Sequence, residues 1–139
     1  MTEEEQIAEL IDTVKVRPAA SPNHGVGLFA IRDIKKGEIL HCAIEVPRWY
    51  QLSPENIQRL PDAIKELVVG RRPPTLRGAE FISPNHDAIM ITFMNHGPTN
   101  YDPLTDTATR DIKEGEEIFE DYRIDPDWEL AHPWLRDMV

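Results

Sequence analysis

The sequence predicts a mostly β domain with short helices. Three observations carry this: brief apolar runs bounded by turn residues, helical signals confined to short stretches, and a phrase written twice. The phrase is Ala30-Ile31-Arg32-Asp33-Ile34-Lys35-Lys36-Gly37-Glu38-Ile39, and again Ala108-Thr109-Arg110-Asp111-Ile112-Lys113-Glu114-Gly115-Glu116-Glu117-Ile118. Each copy reads as strand, turn, strand. The glycine supplies the positive φ of a tight turn, and the flanking isoleucines face a core.

In chain order, Thr2 and Glu5 have capping-box spacing, and Ile7, Leu10 and Ile11 share one helical face, so residues 1–13 read as a helical extension. Val14-Lys15-Val16 alternates like a strand. The turn-rich Ser21–Gly25 opens into a strand over Val26–Ile31, and Ile39–Val46 is an apolar run ended by Pro47. Ser53-Pro54-Glu55 starts a helix, with serine as N-cap and proline at the first position. Pro61 ends or kinks it, and Asp62–Val69 continues as a second helical segment. Gly70–Gly78 is a proline-rich loop whose Arg71, Arg72 and Arg77 form either a solvated or a binding surface. Ala88–Met94 is apolar and expected to be buried before Asn95-His96-Gly97-Pro98-Thr99-Asn100 breaks it. Thr105–Thr109 and Glu117–Glu120 are short strands around the second turn.

A length of 139 residues fits one domain, and 40% hydrophobic content supports a core. No apolar stretch approaches the roughly 20 residues that span a bilayer. The acidic start Met1-Thr2-Glu3-Glu4-Glu5 has no signal-peptide pattern, so a soluble intracellular protein is expected, with no membrane partner. Cys42, the single cysteine, excludes an internal disulfide or a cysteine-rich zinc cluster, and the five histidines have no ligand spacing, so no metal is expected. The net charge of −10 disfavours direct nucleic-acid binding and favours a cationic partner, although acidity also simply aids solubility. From Asp111 to Glu129 there are nine acids against two basic residues, Lys113 and Arg123.

Set in order, Gly25-Val26-Gly27-Leu28-Phe29-Ala30, Lys35-Lys36-Gly37-Glu38, Phe93-Met94-Asn95-His96, Arg110–Ile118 and Asp121-Tyr122 resemble the SET domain of protein lysine methyltransferases. The resemblance runs from about Val14 to Val46 and from about Phe81 to Arg123. It implies a SET domain over 14–123 with a variable insert about 48–80 and a C-terminal flank 124–139. It implies a β-clip-like fold of small twisted sheets with a C-terminal pseudoknot, the tail threading beside Asn95-His96. It implies S-adenosylmethionine as cofactor, held around Gly25, Val26, Gly27 and Leu28 and by Asn95 and His96. A plain β-turn is the other reading of the glycines.

Tyr122 matches the family's active-site tyrosine; a buried core tyrosine is the alternative. Methyl transfer needs a neutral lysine amine, and stripping its proton at pH 7 costs about 4–5 kcal/mol. A narrow apolar channel and a nearby sulfonium lower that cost, and a phenol can wall the channel and orient the amine. The same resemblance implies a channel including Tyr101, Phe119 and Trp128, the last as an aromatic lid; the simpler reading packs Trp128 and Trp134 on the core. Two departures stand out. Gly97 replaces the family's usual serine in a loop one residue shorter, and His41-Cys42-Ala43-Ile44-Glu45 lacks a usual channel tyrosine. No cysteine-rich tail closes the site, which leaves room for completion across a homodimer.

Three functions follow as expectations. The foremost is a lysine methyltransferase acting on a basic protein or tail (histone-like, ribosomal or otherwise lysine-rich). The others are a non-catalytic SET-fold module that recruits basic partners, and an unrelated acidic β-rich adaptor.

Overall fold

The computed structural model describes residues 1–42, 48–71, 78–87 and 90–124. In chain order the elements are α1 (Glu3–Thr13), β1 (Val16–Ala20), β2 (Val26–Ala30), β3 (Trp49–Leu52), α2 (Pro54–Ile57), α3 (Asp62–Arg71), β4 (Ala79–Ile82) and α4 (Pro84–Asp87). A short 3-10 helix, Met90–Phe93, leads into β5 (Asn95–His96), β6 (Tyr101–Asp102), β7 (Thr107–Ala108) and β8 (Glu117–Glu120), and a last 3-10 turn spans Tyr122–Ile124. Strands dominate and fall into small sheets, as the sequence predicts.

Local chemistry sets the element starts. The Thr2 hydroxyl accepts from the Glu5 amide at 3.1 Å and donates to the Glu5 carboxylate at 3.1 Å. Ser53 caps α2 by accepting from the Asn56 amide at 3.3 Å, with Pro54 at the first position. The strand expected at Val14 begins at Val16, because Val14 closes α1 through its amide on the Leu10 carbonyl.

One sheet, ordered β1-β2-β8-β5, positions the site. β1 and β2 form an antiparallel hairpin from Val16↔Ala30 to Ala20↔Val26. Pro18 fits β1 because β1 is an edge strand and can spare an amide. β8 runs antiparallel to β2 and parallel to β5, with Asn95↔Phe119 and His96↔Glu120 opposite each other. The C-terminal strand thus lies beside Asn95-His96, as the resemblance implies.

The repeated phrases pair with each other. Ile34 and Ile112 form an antiparallel bridge. The Gly37 amide reaches the Ala108 carbonyl at 2.8 Å, and the Gly115 amide reaches the Ala30 carbonyl at 2.8 Å. Both glycines take the left-handed conformation, with φ of 88° and 86°, which a side chain would strain. Ile34, Ile112 and Ile118 are buried, but Ile39 is 47% exposed. The core position after the first turn is Leu40, because alternation turns Ile39 outward.

Two apolar clusters result. One fills the space under the site-bearing sheet and includes Val16, Leu28, Met90, Met94, Tyr101 and Ile118. The other joins α1 to the central segment through Ile7, Leu10, Tyr50, Leu52, Ile57 and Phe81, with Tyr50 stacked on Phe81 at 5.7 Å. The segment expected to be a variable insert is therefore a packed unit, closed by the antiparallel β3–β4 pair. Among the described residues no helix is long and apolar enough to cross a membrane.

Candidate active site

Three stretches far apart in sequence meet at the β2, β5 and β8 end of the sheet. The first is the turn before β2. The Ser21 hydroxyl accepts from the Asn23 and His24 amides at 3.1 and 3.2 Å, and the Ser21 amide closes the turn on the Gly25 carbonyl at 2.8 Å. Gly25 has a φ of 48°, with open space where a side chain would begin. At Gly27 a Cβ would lie 2.5 Å from Glu117 Oε2 and 3.2 Å from Asn95 Nδ2. The group that presses on Gly27 is thus the Glu117 carboxylate, with the Asn95 amide behind it. Val26 is exposed and Leu28 is fully buried, so Leu28 can meet a ligand only through its backbone.

The second stretch is β5. Asn95 Nδ2 donates to the His24 carbonyl and to Glu117 Oε2, each at 2.9 Å. Its Oδ1 receives no donor among the described residues. His96 Nδ1 accepts from the Tyr122 amide at 3.1 Å, which puts the ring proton of the neutral imidazole on Nε2.

The third is β8 and the turn beyond it. The Tyr122 hydroxyl donates to the Met94 carbonyl at 2.5 Å, and its ring tilts against His96 with centroids 5.4 Å apart. Burial, helped by the negative charge of Glu120, pushes the Tyr122 phenol above its ordinary range, so it stays protonated. Arg123 pairs with Asp121 at 2.8 Å and holds that carboxylate below its usual range.

The expected channel residues are placed differently from one another. Phe119 lies against Gly97, where a Cβ would come within 2.6 Å of the ring. That contact gives glycine at this position a physical reason. Tyr101 is buried in the core and donates its hydroxyl to Asp106 at 2.6 Å. Burial and that carboxylate drive the Tyr101 phenol far up, so it keeps its proton and donates it in the hydrogen bond to Asp106. Trp128 and Trp134 lie outside the described residues, as do Arg72 and Arg77 of the basic loop.

Sequence reasoning missed Glu117. Its carboxylate accepts from Ser21 Oγ at 2.7 Å, Asn23 Nδ2 at 3.2 Å and Asn95 Nδ2 at 2.9 Å, tying the glycine turn to β5. The available signal was the second acid of Gly115-Glu116-Glu117: an acid inside a short strand beside a buried isoleucine needs partners. No group of three metal-capable side chains occurs among the described residues.

A family model for the SET domain matches residues 25–123. The chain belongs to the SET domain family, whose members are in general methyltransferases that use S-adenosylmethionine. Among solved structures it is similar to a Plasmodium falciparum protein described as a candidate histone methyltransferase. The two are 18% identical, with a TM-score of 0.37, over 79% of this chain and 94% of the other. A search of curated proteins finds no match.

Proposed function

We propose that this chain is an S-adenosylmethionine-dependent protein lysine N-methyltransferase acting on a basic protein or tail. One observation carries the reading: the half-buried Tyr122 hydroxyl is fixed on the Met94 carbonyl, and the adjoining Asn95 bonds the His24 carbonyl of the glycine turn. The residues present fit the cofactor. Asn95 Oδ1 is an acceptor without a donor among the described residues, suited to an amino or hydroxyl group of the adenosine end. The open backbone at Gly25 leaves room beside it.

The bound sulfonium would supply a methyl carbon whose bond to sulfur breaks as a bond to the lysine nitrogen forms, leaving a neutral thioether. The chain's own part is positional. A neutral Tyr122 phenol offers lone pairs to an amine N–H and so aims the nitrogen lone pair away from itself. It does not serve as the base, because burial keeps its proton on. The acidic stretch around β8 attracts a cationic substrate.

A second reading, a non-catalytic module that recruits basic partners, draws on Asn95 spending both amide hydrogens inside the protein, on His24 and Glu117. Calorimetry with S-adenosylmethionine and transfer of labelled methyl to mixed basic proteins separate the two. Transfer lost in Tyr122→Phe supports the catalytic reading. Cofactor binding without transfer to any basic protein replaces it with the second.

A further inference from the structure

Glu120 is the one acid of β8 whose carboxylate has no hydrogen bond or ion pair among the described residues. It is half-buried and pairs with His96 across the parallel β5–β8 ladder. The ring of His96, its partner across the ladder, packs against Tyr122 with centroids 5.4 Å apart, so Glu120 adjoins the proposed site. The basic residue next along the chain is committed: Arg123 holds Asp121 at 2.8 Å. The other acid of the strand, Glu117, is saturated by Ser21, Asn23 and Asn95.

We propose that Glu120 is the counter-charge that receives the substrate's ammonium group and selects a charged lysine over a side chain with the same carbon skeleton and no ammonium. This rests on the reading above, which brings the substrate lysine to Tyr122. A carboxylate partly withdrawn from water and lacking a cation is costly, and an arriving ammonium removes that cost. The carboxylate favours the ammonium form, so its part is recruitment: the proton must leave to solvent before transfer, and Tyr122 then orients the neutral amine. Burial already raises Glu120 above the usual carboxylate range, consistent with an acid waiting for a partner.

The test is binding, read by calorimetry in the presence of S-adenosylhomocysteine so that no turnover occurs. The probes are a short arginine-flanked peptide with one central lysine and the same peptide with norleucine there. The full-length chain should bind the lysine peptide about tenfold more tightly. Glu120→Gln should cut that preference to about twofold or less, Glu120→Asp should keep part of it, and the exposed-acid control Glu114→Gln should keep all of it. A wild-type chain that binds both peptides equally, or a folded Glu120→Gln that keeps the full preference, overturns the assignment. A chain that selects lysine through Glu120 but transfers no methyl leaves this inference standing and removes the catalytic reading. Equal transfer and equal selectivity in wild type and Glu120→Gln do the reverse.

Discussion

Ile34 and Ile112 donate their backbone N–H groups to each other's carbonyl oxygens, each at 2.7 Å. Around that pair the contacts are reciprocal. Asp111 accepts from the Lys36 amide and Asp33 from the Glu114 amide, both at 2.9 Å. The Ala30 amide reaches the Glu116 carbonyl and the Ala108 amide the Glu38 carbonyl, both at 3.0 Å. The duplicated phrase is thus a local two-fold, and it delivers β8 to β2.

This symmetry predicts matched losses. Asp33→Ala and Asp111→Ala should each cost about 0.5–1.5 kcal/mol in urea denaturation, with values close to each other. A large inequality between them would show that only one copy supports the fold.

Tyr122→Phe removes the donor to the Met94 carbonyl and the acceptor proposed for the amine. Methyl transfer should fall by about a hundredfold or more, with S-adenosylmethionine affinity little changed. Because the folded phenol titrates above its unfolded value, its contribution to stability is whole below that value and is lost as pH rises through the folded one. Neutral-pH activity should therefore show no limb from this group, which a rate–pH profile of wild type would check.

Gly27→Ala should fail where Gly25→Ala survives. The new Cβ at Gly27 meets a carboxylate already held by three donors, so the turn or β5 must move. A loss of about 1–3 kcal/mol and of cofactor binding is expected. Gly25→Ala carries only the left-handed backbone cost, about 1–2 kcal/mol, with no clash. Thermal melts alongside cofactor titration distinguish them; equal cofactor affinity in both variants would remove Gly27 from the site.

Gly97→Ser should destabilise by about 1–3 kcal/mol through the Phe119 ring, and Phe119→Ala should recover much of that loss. A double-mutant cycle with no coupling would show that the loop, not the ring, dictates glycine here.

Burial without a partner makes Glu120 a cost to the fold at neutral pH. Its folded value is raised, so the native state holds a proton that the unfolded chain has released. Its contribution is most favourable below the unfolded value and declines as pH rises through the folded one. Tyr101, Tyr122, His96, Asp121, Arg123, Asp102 and Glu117 are the titratable or charged groups on the elements packed around it. Glu120→Gln should melt higher than wild type near pH 7 and converge with it near pH 4. Identical melting at both values would mean the carboxylate is fully hydrated.

Much of this was legible in the chain. The capping box at Thr2, the cap at Ser53 and both glycine turns depend on residues within a few positions, and local chemistry is what a sequence displays most directly. Glu117–Glu120 was readable as a strand, and Tyr122 as a candidate. The pairing of β3 with β4 was not foreseen, although Trp49-Tyr50-Gln51-Leu52 alternates out and in. Four residues give too short a period, and the partner strand lies beyond two helices. Glu117 and Glu120 look alike on paper. Only three-dimensional neighbours separate an acid with three donors from one with none described.

The two copies of the phrase clasp each other across roughly seventy intervening residues, and the entropy of closing such a loop grows only with the logarithm of its length. Doubling the intervening chain would cost only about 0.6 kcal/mol in that respect. Loop closure therefore sets little limit on lengthening the loops of the middle segment while the two ends still arrive together. The clasp also delays them: a ribosome must release nearly the whole domain before either half of the clasp has anything to hold.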